Sequence, residues 1–74
     1  MNVFEEYDVV RVVKLHKPDR HFDGTIGVCR SPRIGDIGTI CHKYSPGNVV
    51  VEMTNVDGMT VWLADFETEE LELV

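Results

Sequence analysis

Apolar and polar residues alternate in short runs along this chain, and turn residues separate the runs. The first run is Tyr7-Asp8-Val9-Val10-Arg11-Val12-Val13-Lys14-Leu15. It is rich in β-branched residues, which suit an extended pleated backbone. Side chains alternate across a strand, so Val9, Val13 and Leu15 share one face while Val10 and Val12 share the other. Apolar residues on both faces predict a strand covered on each side, as in a small closed barrel. The second run is Ile37-Gly38-Thr39-Ile40-Cys41-His42-Lys43-Tyr44, and the third is Asn48-Val49-Val50-Val51-Glu52-Met53-Thr54. Ser45-Pro46-Gly47 between them reads as a hairpin turn: proline fixes one φ and glycine permits a positive one. Val49, Val51 and Met53 are the inward set of the third run. The fourth run, Met59-Thr60-Val61-Trp62-Leu63-Ala64, follows Asp57-Gly58, a strong hairpin signal. Alternation predicts Met59, Val61 and Leu63 inside and Trp62 on the outer face or at a barrel end. After a short turn over Asp65-Phe66-Glu67-Thr68, Leu71-Glu72-Leu73 predicts a final strand.

One stretch breaks the rhythm. His16 to Asp36 is a 21-residue connection containing Pro18, Gly24, Gly27, Pro32 and Gly35. Connections this long in a small domain are usually functional or flexible. Phe22, Ile26, Val28 and Ile34 predict that it folds back on the strands, with an irregular hairpin around Thr25-Ile26-Gly27.

Composition narrows the class. The chain has 74 residues, 43% hydrophobic and 27% charged, the balance of one small folded domain spanning residues 1–74. No apolar run approaches the ~20 residues of a membrane helix. The acidic opening Met1–Glu6 lacks the basic-then-apolar pattern of a secretory signal, and two cysteines are too few for a disulfide scaffold. A cytoplasmic protein with reduced thiols is expected. The net charge of -6 opposes contact with phosphate backbones. Charge is unevenly spread, however. All seven basic residues lie between Arg11 and Lys43 against three acids, and six acids with no base follow from Asp57 onward. The two segments are expected to meet in the fold and neutralise each other.

Three segments together resemble a known pattern. Tyr7-Asp8-Val9-Val10-Arg11-Val12 is similar to a "(Y/G)-D-x-V-x-(L/V)" opening, and Gly35-Asp36-Ile37-Gly38-Thr39-Ile40 to a "G-D-x-G-T-V" step. Leu63-Ala64-Asp65-Phe66 through Leu71-Glu72-Leu73-Val74 is similar to the closing strand of the same pattern. The combination resembles a family of small stand-alone bacterial domains of unknown function with an SH3-like barrel. Apart from the long loop, the likeness covers most of the chain. A related step occurs in KOW-type nucleic-acid-binding modules and in the barrel of the nitrile hydratase β subunit. The resemblance implies an all-β, five-stranded SH3-like barrel with one long loop after the first strand. It implies little about activity.

Candidate chemistry is sparse. His16, His21, Cys29, Cys41 and His42 are the soft metal ligands, but only His16 and His21 have the spacing of a ligand pair. No metal site and no cofactor are expected. Cys29 lies near Arg30 and His21 without a catalytic motif around it, and Ser31 and Ser45 adjoin prolines in turns. An enzyme is not expected, nor a small-molecule substrate. The expected function is a non-enzymatic binding module for a protein partner or a second copy of the chain. Phe22, Arg30, Arg33, Tyr44 and Trp62 would carry the contact, with the loop and surface aromatics facing an acidic or apolar partner. The alternative is a KOW-like nucleic-acid contact through the basic 11–43 segment: Arg11, Lys14, Lys17, Arg20, Arg30, Arg33 and Lys43.

Overall fold

The computed structural model describes residues 3–74. The first two positions of the acidic opening segment lie outside the described residues. The chain is all-β. In order it forms β1 (Val9–Val12), β2 (Phe22–Asp23), β3 (Ile37–Ser45), β4 (Asn48–Thr54), β5 (Thr60–Glu67), a single 3₁₀ turn (Thr68–Glu70) and β6 (Leu71–Leu73). All pairings are antiparallel, in one sheet of order β2-β5-β4-β3-β1-β6. Its edge strands, β2 and β6, do not pair with each other.

The five expected strand segments are all present, and a sixth is added. Phe22 and Asp23 in the long connection pair with Ala64 and Leu63 of β5. The reason is packing: Phe22 is half-buried against the core, and seating its ring brings the backbone alongside β5. The first strand is shorter than its apolar run. Tyr7 adopts φ 74, a left-handed turn conformation that ends the extended backbone before Val9. Only one face of β1 is deeply covered. Val10 and Val12 are buried, whereas Val9 is exposed.

One face of the sheet builds the core: Val10, Val12, Ile40, Val49, Val51, Val61, Trp62, Ala64, Phe66 and Leu71, with Phe4 beside them. Val49 and Val51 point inward as their alternation predicts, and Met53 is half-buried against the same cluster. In β5 the expectation holds at Val61, which is buried, and is reversed beyond it: Trp62, Ala64 and Phe66 face the core, Leu63 lies on the outer face, and Met59 is exposed. A bulge is responsible. Thr60 pairs with Thr54, but the next partner of Met53 is Trp62, so Val61 is the extra residue. One residue of slip moves every later side chain to the opposite face. Trp62 is fully buried and is therefore not an outer-face contact residue.

The Gly35–Thr39 step has two different needs. Gly35 takes φ +98, which a side chain would strain. At Gly38, a Cβ would meet Glu52 O at 2.7 Å and Val51 Cγ1 at 2.8 Å, so only glycine lets β3 lie against β4 there. The Asn55–Met59 turn is tied by the Asn55 side chain, whose Oδ1 accepts the N–H groups of Asp57 (2.9 Å) and Met59 (3.0 Å).

Candidate functional site

Two carboxylates fasten the long connection to the sheet. The first is Glu70, in the 3₁₀ turn and only 1% exposed. It forms an ion pair with Arg20, whose side chain is also buried. Glu70 also accepts the backbone N–H of His16 (2.8 Å) and of Glu67 (2.8 Å). Burial opposes ionisation here, but the Arg20 guanidinium and these N–H donors outweigh it and hold the carboxyl below its ordinary pKa. Arg20 lies over the Phe66 ring, 4.2 Å from its centroid, and donates to Asp65 O at 2.6 Å. β2 ends its pairing with β5 at Ala64. Beyond that point the exposed edge of β5 offers Asp65 O and Glu67 N–H. Arg20 and Glu70 occupy these two groups, so side chains stand where a neighbouring strand would.

The second carboxylate is Asp36. Its oxygens accept Arg30 Nη1 (2.8 Å) and Nη2 (2.9 Å), the Arg33 N–H (2.9 Å) and Trp62 Nε1–H (2.9 Å). Desolvation raises its pKa, and the bonds from Arg30, Trp62 and Arg33 lower it further than that. Trp62 and Phe66 pack with ring centroids 5.4 Å apart. A continuous line of contacts thus runs from Glu70 through Arg20, Phe66 and Trp62 to Asp36 and Arg30. The connection is ordered by the core beneath it. Thr25 N–H donates to Thr60 O (2.7 Å) and Arg30 N–H to Val61 O (3.2 Å), so the chain beyond β2 continues to follow β5.

The fastened arm 17–23 forms one wall of an open groove of about 380 Å³. Its outer-face floor is Val50 of β4 and Leu63 of β5, both half-buried. Val50 pairs with Asp65 and Asn48 with Glu67, which sets these side chains in adjacent rows. Tyr44, near the end of β3 and 50% exposed, supplies an aromatic wall. Lys17, His21, Asp23, Asp65 and Glu67 bring charged or titratable groups to the same space. The Asp65 carboxylate has no hydrogen-bond or ion-pair partner among the described residues.

The residues expected to share one contact surface are dispersed. Tyr44 lies on the groove. Phe22 and Trp62 pack in or against the core. Arg30 is engaged by Asp36, and Arg33 is exposed in the turn before it, with neither lining the groove. The basic and acidic segments do meet: Arg11 pairs with Glu72 (3.2 Å), Arg20 with Glu70, and His16 Nδ1 lies 2.7 Å from Glu67 Oε2. Both cysteines are free. Partial desolvation and the nearby Glu52 carboxylate push the Cys41 thiol up, the wrong direction for a nucleophile. Among the described residues, no three His, Cys, Asp or Glu side chains converge as a metal site. His16 and His21 instead face different carboxylates, Glu67 and Asp23.

Comparison of the chain with protein-family models, curated proteins and solved structures returned no match.

Proposed function

We propose that this chain is a non-enzymatic binding module, an SH3-like barrel that docks a segment of a partner protein in the groove beside Tyr44. The groove carries the reading. Its floor is apolar, its aromatic wall is exposed, and the arm that bounds it is held by the Arg20–Glu70 pair. A surface ordered in advance loses less conformational freedom on binding. The shared core supports the barrel reading: β1 pairs with both β3 and β6, and β1, β3, β4, β5 and β6 all contribute to one apolar cluster. The nucleic-acid alternative has less to work with: Arg11, Arg20 and Arg30 are already paired with carboxylates, and the net charge is -6.

Site-specific photo-crosslinking tests the proposal. A photoreactive residue at position 44 should capture one discrete polypeptide in the native host. The same group at position 56, fully exposed at the opposite end of β4, should not. Equal capture from both positions, or capture of nucleic acid from position 44, would overturn it.

A further inference from the structure

The groove's charge selects the kind of segment it takes. Arg20 and Glu70 neutralise each other at its inner end. That leaves Lys17 against three carboxylates, Asp23, Asp65 and Glu67. Asp23 meets only His21, at 3.5 Å in a largely exposed pair, and Asp65 is unpaired among the described residues. Glu67 is shared with His16. Between these acids lie the apolar surfaces of Val50 and Leu63 and the face of Tyr44. An aromatic face beside carboxylates suits an alkyl stem ending in a cation: the stem covers apolar surface and the head reaches the acids. The β5 edge is closed to an added strand, because Arg20 already donates to Asp65 O and Glu70 already accepts from Glu67 N–H. Recognition there runs through side chains, not through main-chain pairing.

We infer that the groove binds an extended segment of a partner protein bearing lysine or arginine residues spaced by apolar ones. This inference rests on the binding-module function above and specifies its partner. It differs from the sequence expectation of an acidic or apolar partner, because the loop's own Arg20 and Arg30 are spent inside the fold. A groove of about 380 Å³ holds only a few side chains, so contact is weak and reversible. The acidic surface around it accelerates encounter with a cation.

The test is a titration of the ¹⁵N-labelled chain with two ten-residue peptides, followed by NMR. One alternates arginine with leucine and serine; the other carries glutamate at the arginine positions. The arginine peptide should shift the amides of Tyr44, Val50, Leu63 and Asp65 saturably. Asp65→Asn should raise its Kd at least fivefold. Asp57→Asn, on the remote hairpin turn, should change it less than twofold. Asp65→Asn removes no contact within the fold, so its spectrum should otherwise match the parent. Equal effects of the two substitutions would mean that the peptide senses only overall charge, and would overturn the inference. Binding of the glutamate peptide at the same amides would overturn the cationic preference and leave the binding module standing. If neither peptide shifts these amides, the inference falls, and the position-44 cross-link separately decides the module reading.

Discussion

The two arms of the long connection are fastened by the same chemistry at different depths. In the arm before Gly24, the Arg20 and Glu70 side chains are 6% and 1% exposed. In the arm after it, Arg30 and Asp36 are 29% and 10% exposed. Each carboxylate takes a guanidinium and two further N–H groups, both backbone at Glu70, one backbone and one indole at Asp36. Arg20 and Glu70 are 50 residues apart, whereas Arg30 and Asp36 are six apart. The deep pair therefore joins distant parts of the chain and has little access to water. The shallow pair closes a local turn and reaches the core through the Trp62 indole and, from Arg30, through Met53 Sδ and the Val61 carbonyl. Depth rather than pairing chemistry should decide which arm the fold depends on.

Glu70→Ala separates the two cases most sharply. It leaves a buried guanidinium without its counter-charge and two N–H groups, His16 and Glu67, without an acceptor. Breaking a buried pair in this way costs about 3–5 kcal/mol. Stability for a domain of this length is of order 4–11 kcal/mol. Urea unfolding should show about half of it gone. Asp36→Ala should cost less, about 2 kcal/mol: Arg30 and Arg33 can turn to water, and the buried Trp62 indole N–H is the one donor left without an acceptor. An Asp36→Ala loss equal to or larger than that of Glu70→Ala would remove depth as the explanation.

Acid sharpens the same contrast. Both carboxyls have pKa values lowered in the folded state. On acidification the unfolded chain takes up these protons first, so falling pH favours unfolding. The stabilisation is complete above the ordinary carboxylate range near pH ~4 and is lost as pH falls through it toward the lower folded values. Melting temperature should therefore drop as pH falls below ~4. Glu70→Gln starts from a lower melting temperature and has one fewer such group, so its decline should be shallower. An unchanged slope in that variant would show that Glu70 does not contribute to the acid sensitivity.

The difference between the arms also marks what the sequence discloses. Strand positions follow from alternation because each run's β-branched residues and bounding turns act locally. Val49 and Val51 fall inside as expected. The Trp62 face does not follow, because a bulge at Val61 depends on how β4 and β5 align and leaves no mark in the local pattern. Glu70 is equally hidden. It sits among Glu67, Glu69 and Glu72, a run that reads as a solvated edge. Its spacing of three from Glu67 is the one available signal, since a glutamate at the third position of a turn can accept the N–H that opens it. Tyr44 was legible as an exposed aromatic. The groove beside it was not, because its walls come from four separate stretches of chain.

The smallest effect belongs to the ion pair at the far edge of the sheet. Arg11 Nη1 lies 3.2 Å from Glu72 Oε2, and the two side chains are 42% and 43% exposed. They stand on adjacent strands, directly paired in register. Water solvates both charges whether or not they touch, and salt screens what attraction remains. Arg11→Ala should cost no more than about 1 kcal/mol. Raising the salt concentration should shrink the difference between parent and variant, while leaving most of the Glu70→Ala loss in place. A salt-independent loss approaching that of Glu70→Ala would mean that contact across two strands matters more than depth, and the ordering of all three pairs would have to be redrawn.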